Sequence, residues 1–280
     1  MLNVEKTDMG NLPEILTALE QALELERELG TRTVDCDRAL LAPLGAQPIA
    51  GSMNLKDPKD LKDFKDLKDL KDFKDLKDLK DLKDIKGALP TAEELAACTK
   101  CSLATLGRQH VVPGQGNADS PDFMFIGEAP GADEDRQGLA FVGAAGQFLT
   151  KMIAAMGYAR EQVFIANICK CRPPNNRTPS PQEMLACLPY LKRQIALVRP
   201  KCIVLLGRTA MNGLFPGQRI RRCAWYEYEG IPTIATFHPS YIIRFDPVTD
   251  AVGLRAAKTE VWNTLKLALA RLGKQPPTRK

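Results

Sequence analysis

The chain has no run of about 18 apolar residues, so no transmembrane helix is expected. Its N-terminus lacks a basic stretch followed by an apolar one, so no secretory leader is expected and the reading is a cytoplasmic protein. Eight cysteines in 280 residues are too few for a disulfide scaffold, and paired cysteine spacings in such a protein point to metal or redox chemistry. Histidine occurs only twice, as His110 and His238. Charge of one sign is scarce only locally. Residues 1–54 hold four basic and nine acidic side chains, residues 55–86 hold eleven Lys and ten Asp, and residues 87–280 hold 24 basic against 15 acidic groups. The net +5 of the whole chain thus conceals a body carrying +9, the electrostatic footprint of a polyanion partner.

Three segments follow from these shifts. Residues 1–54 form an acidic head, with an amphipathic helix predicted over 12–29 from Leu12, Ile15, Leu16, Leu19, Ala22 and Leu23, stopped by Gly30. Residues 31–54 read as linker. Residues 55–87 repeat Leu/Phe-Lys-Asp with period three. On an α-helix three residues turn about 300°, so the apolar stripe slips about 60° per repeat and no face stays apolar. The i,i+4 pairs run Lys to Asp, as from Lys62 to Asp66, the less favourable order. The segment reads as a solvated low-complexity linker, with a protein partner for residues 1–86 as the alternative. Residues 88–280 are the body, long enough for one domain with its own core.

The body alternates apolar runs with helical stretches. Strands are predicted at Phe123–Ile126, Val163–Ile168, Cys202–Leu206 and Thr233–Phe237. Helices are predicted at 91–98 (opened by a Thr91/Glu94 capping box), 143–157, 180–199, 208–214 and 250–272. That alternation specifies an α/β sandwich with a four-stranded parallel sheet, behind a helical and low-complexity N-terminal extension. Ligand chemistry then belongs at the carboxyl ends of the strands.

Two strand ends carry unusual residues. Gly127-Glu128-Ala129-Pro130-Gly131 leads into Asp133, Glu134 and Asp135, four carboxylates in eight residues. One of them could activate water or support a cationic transition state; a solvated acidic loop is the alternative. The second end is His238-Pro239-Ser240-Tyr241-Ile242-Ile243-Arg244. A histidine there can donate to a leaving group that gains negative charge. The apolar triplet beside Arg244 suits a wedge entering a duplex while the arginine holds phosphate. His110 reads as a satisfied core group. Cys98 and Cys101 form C-x2-C, and Cys171 and Cys187 lie sixteen positions apart; the spacing alone fits zinc, a redox pair or an iron–sulfur cluster.

Five ordered blocks carry a resemblance: GEAPGADED (127–135), GLAFVGAAGQFL (138–149), NICKCRPPNNRTPSPQEMLACLPYL (167–191), PKCIVLLGRTA (200–210) and TFHPSYIIR (236–244). The body resembles the iron–sulfur uracil-DNA glycosylases of family four, from about Leu95 to Leu272. The resemblance implies a three-layer α/β/α sandwich and an enzyme that hydrolyses the N-glycosidic bond of uracil in single- or double-stranded DNA, working as a monomer. It implies a [4Fe–4S] cluster on Cys98, Cys101, Cys171 and Cys187, with Cys169 the competitor of Cys171. It implies that Phe141 stacks on uracil, that Asn167 pairs with its edge, that His238 donates to O2, and that Gly127 and Ala129 let the backbone approach. Ser240 and Arg244 belong to the same substrate site. Glu128 and Glu134 are the candidates to activate water, with the resemblance favouring Glu134; the alternative is a site that relies on the DNA phosphates and the leaving anion. Gly131 stands where a bulky Tyr would block the thymine methyl. Arg219, Arg221, Arg222, Lys170, Arg172 and Arg177 are phosphate candidates. A non-catalytic iron–sulfur nucleic-acid-binding protein and a hydrolase of free nucleotides are the competing readings.

Overall fold

The structure, a computed structural model, describes residues 88–278. The helix expected at 12–29, the linker at 31–54 and the Leu-Lys-Asp repeat lie outside the described residues.

Six strands form one sheet: β1 (Gln115–Gly116), β2 (Phe123–Gly127), β3 (Phe164–Asn167), β4 (Cys202–Leu206), β5 (Trp225–Tyr228) and β6 (Ile231–Thr236). Their order is β1-β3-β2-β4-β6-β5. The inner four are parallel and are the four strands expected from the sequence. Two antiparallel edges, β1 against β3 and β5 against β6, correct the expected count of four. The first edge is a two-residue Gln-Gly pair with no periodicity to read. The second was legible: Trp-Tyr-Glu-Tyr is rich in strand formers. It ends in Glu229 and Gly230 at φ 50° and 80°, the left-handed pair that closes a tight hairpin.

Helices cover both faces. They are α1 (Ala92–Ala96), α2 (Ala132–Gln137), α3 (Ala144–Ala155), α4 (Pro181–Val198), α5 (Gly207–Leu214), α6 (Pro239–Ile242) and α7 (Ala251–Arg271). Successive β2 side chains alternate between faces. Met124 and Ile126 pack with Leu188, Leu191 and Ile195 of α4 and Met211 and Leu214 of α5. Phe123 and Phe125 pack with Leu149 and Ile153 of α3 and Val261, Leu265 and Leu269 of α7. This is the three-layer α/β/α sandwich. Each fully buried Phe or Ile contributes about 1.5–3 kcal/mol by leaving water. Among the described residues no helix is long and apolar enough to cross a membrane.

Because the inner strands are parallel, their carboxyl ends gather on one rim. Gly127 pairs in register with Asn167, and Leu206 with Thr236. The opposite rim is closed by Asp122, just before β2. Its carboxylate accepts from Tyr158 Oη at 2.7 Å, from Lys201 at 2.9 Å and from Lys274. Burial alone would raise the Asp122 carboxyl, but these donors outweigh it and hold it at about 2.

Candidate active site and cysteine cleft

Three groups converge where β2 and β3 end. A Cβ added at Gly127 would stand 2.4 Å from Phe141 Cζ and 2.5 Å from Asn167 Oδ1, so only glycine lets the ring, the carboxamide and the backbone share this space. Asn167 is 2% exposed, and its Oδ1 is buried with no hydrogen-bond partner. A buried amide oxygen without a partner costs about 1–3 kcal/mol unless a ligand satisfies it.

Phe141 is held in a left-handed conformation, φ 52°, which costs about 1–3 kcal/mol and must be imposed by its surroundings. Glu134 imposes it from α2. One carboxylate oxygen accepts from the Val142 and Gly143 N–H groups at 2.9 Å each, and the other from the Gly131 N–H at 3.1 Å. Gly146 allows the close approach: a Cβ there would lie 1.8 Å from the Phe141 carbonyl oxygen. From the far side Arg160 donates to the Ala140 carbonyl and to Thr150 Oγ1.

His238 follows β6 and faces the Phe141 ring, with centroids 5.7 Å apart. It caps α6, its Nδ1 accepting from the Ser240 N–H at 3.1 Å, with Ser240 Oγ at 2.8 Å. An Nδ1 that accepts a main-chain N–H leaves the ring proton on Nε2. Burial, with Arg244 adding to it, pushes the imidazole down to about 4. His238 is therefore a neutral ring with an Nε2–H free to donate. Glu128 lies half-buried after β2; Thr209 Oγ1, from the first turn of α5, donates to its Oε2.

In the wedge segment Ile242 is buried at 1%, whereas Tyr241 and Ile243 are about two-fifths exposed (42% and 43%). The apolar triplet expected at the surface is thus two residues. Tyr241 stacks on Phe237 at 4.5 Å, and the Arg222 guanidinium covers that ring's other face at 3.9 Å. Arg222 is also paired with Glu260. Arg177 is held bidentate by Glu183. Lys170 is 1% exposed, which corrects its expected contact with phosphate: a buried ammonium cannot reach DNA. Arg172 bonds Asn176 Oδ1, and the Arg221 N–H donates to Tyr226 Oη. His110, expected in the core, is exposed, its Nδ1 2.7 Å from the Asp135 carbonyl.

The four cysteines of the expected ligand set line one cleft with Arg108, Lys170 and Tyr190. Among the described residues no three His, Cys, Asp or Glu side chains stand at metal-ligand spacing, but hydrogen-bond donors reach two of the four sulfurs. Arg108 Nη1 donates to Cys171 Sγ at 2.9 Å, and its Nη2 to the carbonyls of Ala96 and Cys98. The Lys170 N–H donates to Cys187 Sγ at 3.2 Å. A hydrogen bond from Cys169 and the Lys170 charge draw the Cys187 thiol down against its burial, whereas burial pushes the Cys101 and Cys171 thiols up. Ser102, beside Cys101, donates to Glu183, four residues before Cys187, so the segments carrying the thiols are tied together. Cys169 is buried beside Cys187 but does not line the cleft. Thr209, Arg108, Arg160, Gln194 and Glu183 were not singled out from the sequence. Each acts through contacts from distant segments, and only Glu183 left a local signal, the Ser180/Glu183 capping box that opens α4.

A family model described as the Uracil DNA glycosylase superfamily matches residues 113–266. The chain is 43% identical over 160 residues to a Type-4 uracil-DNA glycosylase of Thermotoga maritima, spanning 55% of this chain and 81% of that protein. It is 43% identical over 170 residues to a Type-4 uracil-DNA glycosylase of Saccharolobus solfataricus, spanning 56% and 77%. It is 43% identical over 161 residues to one of Archaeoglobus fulgidus, spanning 54% and 80%.

Proposed function

The chain belongs to the uracil DNA glycosylase superfamily, and from that premise we propose that its rim pocket excises uracil from DNA, leaving an abasic site. The observation that carries the reading is the buried, unpartnered Oδ1 of Asn167, packed with the Phe141 ring against the side-chain-free face of Gly127. Uracil presents N3–H and O4 side by side. The Asn167 carboxamide accepts from the first and donates to the second, while cytosine presents the opposite order and leaves buried groups unpaired. Phe141 stacks on the base, and the backbone at Gly127 and Ala129 closes over its edge.

The base in a duplex is reached only after it is flipped out, at a few kcal/mol. Tyr241 and Ile243 fill the gap, and Arg244 and the basic body hold phosphate. As the C1′–N1 bond breaks, its electron pair moves onto uracil and charge develops at O2. The His238 Nε2–H donates there, with Ser240 fixing the tautomer. Water adds its oxygen to C1′ and gives up a proton. Glu134 has both oxygens committed to main-chain N–H groups, so it positions the Phe141 loop. Glu128 is the carboxylate assigned to the water.

The cysteine cleft fits an iron–sulfur cluster by its four thiols and by the Arg108 and Lys170 donors to two of the sulfurs. Cys98, Cys101, Cys171 and Cys187 would hold a [4Fe–4S] cluster, which when bound crosslinks the segment before β1 to the loop after β3 and to α4. Protein purified without oxygen should be brown, absorb near 400 nm and contain iron; one zinc and no iron would exclude the cluster. Activity is tested with a uracil-containing oligonucleotide, alkali and a gel. Strand cleavage at uracil is expected. Intact strands despite tight DNA binding would turn the reading to a non-catalytic binder.

A further inference from the structure

β1 runs antiparallel to β3 with Gln115 opposite Ile165 and Gly116 opposite Phe164. Continued two residues, this register brings Pro113 opposite Asn167. Proline has no N–H, so the ladder cannot supply a donor to the Asn167 carbonyl. The residues after Asn167 turn their own N–H groups to the other neighbour: Ile168 donates to the Gly127 carbonyl and Cys169 to that of Glu128, both at 3.0 Å. The missing rung is made by side chains. Lys170 Nζ donates to the Asn167 carbonyl at 2.8 Å and to Gln194 Oε1 at 2.6 Å. Gln194 Nε2, from α4, then donates to the Pro113 carbonyl at 2.6 Å.

Lys170 also reaches the cysteine cleft, through its main chain. Its N–H donates to Cys187 Sγ at 3.2 Å, and its carbonyl accepts from the Val112 N–H at 2.8 Å. An ammonium 1% exposed, with neutral oxygens as its hydrogen-bond acceptors, is an expensive way to fill a core site that an apolar side chain of similar length could occupy. We propose that Lys170 is a positioning residue. It replaces the backbone rung that Pro113 cannot make, fixes the end of β3 so that Asn167 presents its carboxamide to uracil, and links that end to the cysteine site. This rests on the uracil-excision reading above.

The test is a double-mutant cycle on the full-length, cluster-loaded protein, using Lys170→Met, Asn167→Ala and the double variant. Single-turnover excision, DNA affinity, iron content and absorbance near 400 nm are recorded for each. Lys170→Met is expected to slow excision about tenfold or more, with Kd for DNA within about twofold. The main-chain N–H to Cys187 survives the substitution, so iron content and the absorbance band should stay. The double variant should be no more than about twofold slower than Asn167→Ala, because both changes act on the same carboxamide. A full-rate Lys170→Met enzyme, or losses that multiply in the double variant, would overturn the proposal. If Lys170→Met does not accumulate folded, Gln194→Leu takes its place in the cycle, with a severalfold loss expected that is again absorbed by Asn167→Ala; a full-rate Gln194→Leu enzyme overturns the proposal equally. Wild-type protein that leaves uracil in place strikes the excision reading itself. Wild-type excision with multiplicative losses strikes only Lys170.

Discussion

The two ends of strand β2 are built on opposite rules. At its amino end the Asp122 carboxylate is saturated by Tyr158, Lys201 and Lys274, and those contacts bind the C-terminal segment and the start of β4 to the sheet. At its carboxyl end Gly127 has no side chain. The carboxyl ends of β3 and β6 contribute Asn167 Oδ1 and Thr236 Oγ1, two of the three buried side-chain polar atoms left unpartnered among the described residues. The amino-end carboxylate is spent on the fold, whereas these two oxygens at the carboxyl ends are left without a partner. Phe141, at the same rim, is held at a cost, since its left-handed backbone stands only because Glu134, Gly146 and Arg160 surround it.

Substitutions should separate the rims. His238→Ala is expected to lower the single-turnover rate of uracil excision by about 10²-fold or more, because it removes a donor used only as charge develops; an unchanged rate would break the mechanism. Glu134→Ala frees three main-chain N–H groups and releases the Phe141 loop, so excision should fall about tenfold or more while DNA affinity is kept. Stopped-flow fluorescence of a base analogue beside the target would show whether base capture is the lost step. Asp122→Ala should leave excision unchanged and cost about 1–3 kcal/mol of stability, a few degrees in Tm for a domain of this size.

The smallest effect is on pH dependence. The imidazole of His238 is held at about 4 by burial and by Arg244, below its ordinary value. Its neutral form is favoured by folding, so the stability it contributes is complete above the ordinary histidine range and drains away as pH falls towards 4. The rate profile should show no inflection near pH 6.5; one that disappears in His238→Ala would mean that the ring is solvated. Asp122 behaves likewise at lower pH, its contribution present above the ordinary carboxyl range and lost as pH falls through about 2.

The inner sheet was readable because parallel strands buried on both faces are continuous apolar runs, as in Phe123–Ile126 and Cys202–Leu206. The edges were not, since β1 is too short to carry a pattern. The residues proposed to touch uracil sit beside strand ends; Gly127 and His238 stood out by their glycine- and proline-bounded motifs and Phe141 and Asn167 by the family resemblance, and the structure brings the four together. The supporting residues were hidden for a different reason. Lys170 in a basic run looks like a phosphate contact, and only the proline opposite Asn167, set by a register the sequence does not display, gives the ammonium its place. Glu134 and Glu128 look alike in an acidic loop. The capping of α2 and the turn at Phe141 distinguish them.

The most direct test crosses the two rims on matched preparations of Asn167→Ala and Asp122→Ala, measuring single-turnover release of uracil and thermal unfolding for both. Asn167→Ala should lose about 10²-fold in rate with Tm unchanged or raised, since an unsatisfied buried oxygen is removed, while Asp122→Ala should lose Tm and keep its rate. Two variants that lose rate and stability in parallel, or an Asn167→Ala enzyme at full rate, would contradict the account.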